Sequence, residues 1–382
     1  MDSDKLIPIK GILSTGEKII KEKKSDQNSK KVFKKESFVQ WAFQKKRKKF
    51  WKILIYLFLI LIICFCFLLF FCFINNYKAT EKPSKNDFVF IVCLFGKQLI
   101  TNTELIKKYF YTINKFVPHS KVTFIVSGYT KIDPELIKYK NIDITIERYG
   151  NLTFEEVEKK YNYPRGAHSY FVFSRLFIYK DYLKNHPEIK YLIICDDDTL
   201  FFKDPFLLIE QDPNTVHIMQ DVYPFSKTRD LNFVWTDAWV QLNDSIKQKC
   251  GFKPFNKTLL SDEIKDIIPL NSGMMLGSSK NIIKILELLT SKYICTGTFP
   301  RYSDQGLLNY LDLSGELKEL GFPIRRHNIF NGSLISCIDQ LPMENFIQQM
   351  GSEHLIAIHH YQYLRRRFIK KSPIWSHIFL SV

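Results

Sequence analysis

From Ile53 to Ile74 the chain reads ILIYLFLILIICFCFLLFFCFI, 22 residues without a charged side chain. A helix rises about 1.5 Å per residue, so this run is long enough to cross the roughly 30 Å hydrocarbon core of a bilayer. In lipid the backbone must satisfy its own hydrogen bonds, and the run therefore predicts one transmembrane helix. A helix from the core of a soluble domain would show a polar face, and this one has none. A signal peptide fits poorly as well: the run starts only at residue 53, is longer than a typical apolar region, and is followed by no small-residue cleavage pattern.

Lys45, Lys46, Arg47, Lys48, Lys49 and Lys52 crowd one flank, whereas the other begins Asn75-Asn76-Tyr77-Lys78. The positive-inside bias predicts a type II topology, with residues 1–52 cytosolic and everything from about residue 75 facing a lumen or the exterior. The tail reads as a solvated orientation or retention segment; a short amphipathic stretch at Phe38 to Phe43 leaves an interfacial helix as the alternative. Residues 1–52 hold 16 Lys plus Arg against 6 Asp plus Glu, which accounts for +10 of the net +16. Most of the basicity thus lies across the membrane from the folded domain, which argues against a nucleic-acid partner.

Beyond the span, glycosylation acceptor triplets occur at Asn151, Asn243, Asn256 and Asn331, in keeping with that orientation. Cys64, Cys66 and Cys72 belong to the span, and Cys93, Cys195, Cys250, Cys295 and Cys337 follow it. Five cysteines allow at most two disulfides and contain no zinc-type CxxC pair. Cys93 and Cys195 sit in apolar strand-like runs and are expected to be buried free thiols.

Residues 75–86 have the polar, Pro-containing composition of a short stem, and the folded domain is expected over 87–382. The whole chain is 46% hydrophobic, which supports a large core. Apolar strands are predicted at Phe88 to Phe95, Lys121 to Val126 and Ile142 to Glu147, with helices at Thr103 to Phe116 and Ser174 to Asn185. Alternation of helices with continuously apolar strands predicts an α/β domain with a mixed, mostly parallel sheet flanked by helices.

The segment YLIICDDDTLFF, Tyr191 to Phe202, is a buried strand that stops on Asp196, Asp197 and Asp198. Open parallel sheets place ligands at the carboxyl ends of their strands. Extended backbone would point Asp196 and Asp198 to one face. Carboxylates held together need a compensating cation, and hard oxygen donors suit Mn²⁺ or Mg²⁺ bridging a diphosphate. An acidic turn is the plain alternative. A phosphatase of the haloacid dehalogenase type would want Thr or Val where this chain has Leu200, and would carry its acidic pair on the first strand of the domain.

With these residues in hand, the chain resembles the metal-dependent nucleotide-sugar transferases of the GT-A fold, family 8 type. The resemblance rests on Arg175 in SRLFIYKDYL, Asp196 to Asp198 followed by TLFFKDPF, PLNSGMMLGS at Pro269 to Ser278, SDQGLLNYL at Ser303 to Leu311, and IAIHHYQYLRRRFIKKSPIW at Ile356 to Trp375. Order and approximate spacing agree over about 200 residues of this chain. After its His segment the chain departs from the family pattern, lacking the usual Gly and reaching Lys371 eleven residues after His360.

The resemblance implies metal ligands at Asp196, Asp198 and one of His359 and His360, with Asp196 alternatively on the ribose. It implies donor contacts from Arg175, Asp197, Asn271, Ser272, Gly273 and Lys371, and catalytic contacts to the transferred sugar from Asp304 and Gln305. Asp304 also reads as a cap of the helix after it. Arg365, Arg366, Arg367 and Lys370 are either a solvated charge run or diphosphate contacts. Asp221, Trp235 and Trp239 are weaker candidates for the acceptor side.

The implied activity is transfer of a hexose from a nucleotide-sugar, a UDP-sugar by preference, to a glycan, glycoprotein or glycolipid, with retention of configuration. The implied location is the Golgi or endoplasmic reticulum membrane. The alternative from another class is a catalytically silent, membrane-tethered carbohydrate-binding or scaffold protein on the same fold.

Overall fold

The computed structural model describes residues 22–76, 82–94, 103–127, 131–149, 169–227, 231–296, 304–328, 333–336 and 355–359. The chain divides into two compact units, Met1–Thr80 and Glu81–Val382.

The first unit is built on one helix, α1 (Glu22–Asn76), of 55 residues. No Gly or Pro interrupts this stretch, so nothing in the backbone stops the helix between the Lys-rich tail and the apolar run. The tail beyond residue 22 is thus helical, although its sequence has little ordering pattern. Within Phe43–Leu69, 27 residues, the most apolar 18-residue stretch has a mean hydropathy of 3.0, and the helix is long and apolar enough there to cross a membrane. Its large side chains are exposed on every side, a surface that lipid accepts and water does not.

The second unit carries β1 (Phe88–Leu94), α2 (Thr103–Phe116), β2 (Ser120–Ser127), β3 (Ile142–Tyr149), α3 (Ser169–Asn185), β4 (Tyr191–Cys195), β5 (Leu200–Phe201), α4 (Phe206–Gln211) and β6 (Val216–Gln220). It continues through α5 (Leu231–Val240), α6 (Asp244–Lys249), β7 (Leu270–Ser278), α7 (Ser279–Thr296), α8 (Asp304–Leu313), β8 (Ile324–His327), β9 (Leu334–Ser336) and β10 (Ala357–His359).

Seven strands form one sheet in the order β3-β2-β1-β4-β7-β6-β8. β7 runs antiparallel to both of its neighbours, and the other pairings are parallel. The expected mixed, mostly parallel sheet with flanking helices is therefore present. Successive residues of β1 feed opposite faces: Val89 and Ile91 pack into one hydrophobic cluster, Phe88, Phe90 and Val92 into the other. Both faces are covered, which is why the strand reads as an unbroken apolar run rather than an alternation.

A second, three-stranded sheet has the order β5-β10-β9, with β10 antiparallel to β5 and parallel to β9. It clasps the chain just after the acidic segment, where the Phe202 amide donates to the Ile356 carbonyl at 2.8 Å. Elsewhere Cys250 and Cys295 form a disulfide that ties the end of α6 to α7. Cys195 is a buried free thiol and Cys93 a partly buried one, as their apolar surroundings predicted.

Candidate active site

The sheet's topology decides which residues meet. β4 ends at Cys195 and β6 at Gln220, so Asp196 and Asp221 leave the sheet at the same, carboxyl edge. Because β7 is antiparallel, its first residues lie at that edge too, with Met274 opposite Cys195. The Asp196 amide donates to the Gly273 carbonyl at 3.0 Å, which fixes the start of the acidic segment against the Asn271-Ser272-Gly273 run.

The strand stops before the carboxylates. Asp197 and Asp198 lie in a turn, so the extended alternation expected to aim Asp196 and Asp198 to one face does not hold. A turn separates the three side chains differently: Asp198 is buried at 5% exposure, while Asp196 and Asp197 are partly exposed.

Arg175, on α3, is the cation around which this edge is organised. Its Nη1 donates to Asp196 Oδ1, and Nε and Nη2 both donate to Asp304 Oδ2, at 3.2 and 2.8 Å. Nη2 also reaches Ser272 Oγ at 3.4 Å. One planar guanidinium thus joins four sequence segments that are far apart in the chain, using the fork geometry a lysine lacks. Burial works against its charge, but Asp196 and Asp304 outweigh that cost and keep it protonated above its ordinary range.

Asp304 is the first residue of α8 and is 1% exposed. Its Oδ1 accepts the Gln305 amide at 2.7 Å while Oδ2 faces Arg175, so both oxygens of this carboxylate are engaged. Burial pushes this carboxyl above the usual range, and Arg175 holds it back.

Behind this layer, Asp221 gathers donors from three elements. Asn271 Nδ2 on β7 donates to its Oδ1 at 2.7 Å, Gln305 Nε2 on α8 to its Oδ2 at 2.9 Å, and Ser336 Oγ on β9 lies 3.4 Å away. Asn271 Oδ1 accepts the Gly273 amide at 2.8 Å, and Gln305 Oε1 accepts the Ser272 amide at 3.3 Å. Asn309, one turn along α8, locks the helix to the strand by donating to the Leu270 carbonyl and accepting the Leu270 amide. The sequence flagged Asp221 only weakly, because its partners come from segments 50 and 84 residues away.

Gly306 lets α8 approach this closely. A Cβ placed there would stand 2.5 Å from the Trp235 carbonyl oxygen of α5. Trp239, expected as a sugar-stacking candidate, is instead a core residue, 1% exposed and packed near Phe252. Trp235 is partly buried against α8.

Asp196, Asp304, Gln305, Asn271, Ser272, Gly273 and Arg175 are therefore brought together, with Asp197 and Asp198 on the adjoining turn. β10 contains His359, whose side chain lies outside the described residues, as do His360 and Lys371. Among the described residues no group of three or more His, Cys, Asp and Glu side chains is gathered as a metal site. The donor chemistry of the acidic turn nevertheless fits a hard divalent cation: consecutive carboxylates, one of them buried, at the carboxyl edge of the sheet.

Compared with known proteins, the chain matches no protein-family model and no curated protein. Among solved structures, mouse xyloside xylosyltransferase 1 in its apo form aligns at 10% sequence identity and a TM-score of 0.44, over 71% of this chain and 97% of that one.

Proposed function

We propose that this chain is a metal-dependent glycosyltransferase of the GT-A type, anchored in the membrane by the helix that contains Phe43–Leu69. The observation that carries the reading is the Arg175 guanidinium, which draws Asp196, Ser272 and Asp304 onto one point at the carboxyl edge of the sheet. Those are the segments whose sequence resembles the family's motifs, and they lie far apart in the chain.

In this reading Asp196 and Asp198 hold Mn²⁺ or Mg²⁺ together with His359 or His360. A bound divalent ion supplies charge neutralisation for a leaving nucleoside diphosphate. Asp197, Asn271, Ser272, Gly273 and Lys371 contact the donor, and Arg175 fixes the orientation of the two carboxylates it bridges. Asp304 and Gln305 face the transferred hexose. Gln305 is held for that task at both ends of its amide, by the Ser272 amide and by Asp221. Retention of configuration follows the family resemblance, as do a UDP-sugar donor and a glycan, glycoprotein or glycolipid acceptor.

The Cys250–Cys295 disulfide supports placing the folded unit in an oxidising compartment, the lumen of the Golgi or endoplasmic reticulum in a type II arrangement. The charge pattern around the span points the same way. The full-length chain in detergent, offered a panel of nucleotide-sugars, is expected to hydrolyse one of them slowly with Mn²⁺ and none with EDTA. If a folded preparation hydrolyses none under either condition, the silent carbohydrate-binding reading replaces this one.

A further inference from the structure

β8 ends on His327, and the two partners of its ring determine where its proton sits. Nδ1 accepts the backbone amide of Ser333 at 3.1 Å, and Nε2 lies 2.9 Å from Nδ1 of His217 on β6. A neutral imidazole whose Nδ1 accepts must carry its proton on Nε2, so His327 donates to His217. Both rings are buried. Burial and then the Arg325 charge lower His217 to about 4, against a weaker raising effect of Asp212. Burial, His217 and Arg325 lower His327 to about 3. The acceptor on Nδ1 is therefore present throughout the neutral range.

Ser333 stands where the second sheet begins. Its amide precedes the β9 ladder and needs an acceptor from outside it, which His327 provides. Its carbonyl accepts two amides at the start of β10, from Ile356 just before the strand at 2.8 Å and from Ala357 at 3.1 Å. From this point β9 and β10 run in parallel register, Leu334 beside Ala357 and Ser336 beside His359. Ser336 in turn reaches Asp221, which orients Gln305 and Asn271.

We propose that His327 is a positioning residue of the site: by holding the Ser333 amide it sets the register at which β9 presents Ser336 to Asp221 and β10 carries His359. The part concerning His359 rests on the transferase reading above, and the part concerning the strands does not. His217 keeps the ring from turning, because a flipped ring would offer a carbon to Ser333 and lose the Nε2 donor.

Two substitutions in the full-length protein separate the ring's two bonds. His327→Asn keeps an acceptor near the Nδ1 position and loses the donor to His217. His327→Gln keeps an amide donor near the Nε2 position and leaves Ser333 without its acceptor. Amide hydrogen exchange is followed by mass spectrometry over peptides containing residues 333–336 and 355–359, together with melting temperature and the Mn²⁺ concentration for half-maximal donor hydrolysis. Exchange is expected to accelerate in the Gln variant and to stay near wild type in the Asn variant, whatever their melting temperatures. Half-saturation by Mn²⁺ is expected to rise about tenfold or more in the Gln variant alone, the scale of an orienting contact behind a metal ligand. Unchanged exchange in the Gln variant, or changes in both variants that simply follow melting temperature, would overturn the proposal. Faster exchange in the Gln variant with no Mn²⁺ response in any protein, wild type included, would leave the strand-positioning role standing and remove the transferase reading.

Discussion

Two cations of this domain, the buried Lys292 and the partly buried Arg175, differ in what surrounds them. Lys292 on α7 meets Glu316 at 2.7 Å, donates to the carbonyls of Cys250 (3.2 Å) and Gly251, and lies over the Phe252 ring. Glu316 spends its other oxygen on the Lys253 amide at 2.9 Å. That is one cation for one anion, with backbone groups completing the set beside a disulfide. Arg175 instead faces two carboxylates, and two more follow Asp196 directly in the chain. A balanced buried pair is a clamp that needs nothing further. Carboxylates that outnumber the Arg175 cation at a strand end offer the hard oxygen donors that a divalent ion takes, so the imbalance points to a site.

The largest expected effect breaks the imbalance itself. Asp198→Asn should reduce donor hydrolysis on the order of 10⁴-fold, about 5.5 kcal/mol of transition-state stabilisation, with the melting temperature near wild type. Steady-state kinetics beside calorimetric melting checks it; a parallel loss of stability would put Asp198 with the clamps.

Lys292→Met should do the reverse. Leaving Glu316 buried without its cation costs about 3–5 kcal/mol of stability, measured by denaturant unfolding, while donor affinity of the folded protein stays unchanged. If affinity fell as far as in the Asp198 variant, charge balance would not separate the two regions.

Acid provides a third contrast. His217 and His327 have pKa values lowered to about 4 and about 3 from 6.5, so the unfolded chain binds protons that the fold refuses. Their contribution to stability is complete above about pH 6.5 and is lost as pH falls toward 4 and 3, the two rings together losing on the order of 4 kcal/mol by pH 5. Denaturant unfolding at pH 7, 6 and 5 should show the decline, and His217→Gln should flatten it. An unfolding midpoint that is constant over that range would contradict the neutral pair.

The smallest effect is steric. Gly306→Ala would place its Cβ 2.5 Å from the Trp235 carbonyl. The helix has to shift, at a cost of about 1–3 kcal/mol. Because Asp304 and Gln305 begin the same helix, the variant should also weaken donor binding, and a stable variant with full affinity would show that α8 can slide without disturbing the site.

Much of this was legible because strands buried on both faces advertise themselves. Phe88 to Leu94 and Tyr191 to Cys195 are apolar on every residue, and the second stops abruptly on Asp196, so β1 and β4 were readable, and with them the edge carrying the acidic turn. Arg175, Asn271, Asp304 and Gln305 stand in motifs, and the structure brings them together. What was not legible depends on long-range pairing. Nothing in LNSGMMLGS marks β7 as antiparallel, yet that direction is what brings Asn271 to Asp221. β8, β9 and β10 are too short to declare a pattern, and His217 and His327 find each other across 110 residues. Extended alternation does not reach the carboxylates, because the backbone turns directly after Cys195.

The most direct measurement of the central claim is calorimetric titration of the full-length protein with the preferred nucleotide-sugar, in Mn²⁺ and in EDTA, for wild type, Asp198→Ala and Lys292→Met. The account predicts metal-dependent binding that Asp198→Ala abolishes and Lys292→Met preserves. Binding equally tight in EDTA, or surviving Asp198→Ala, would contradict it.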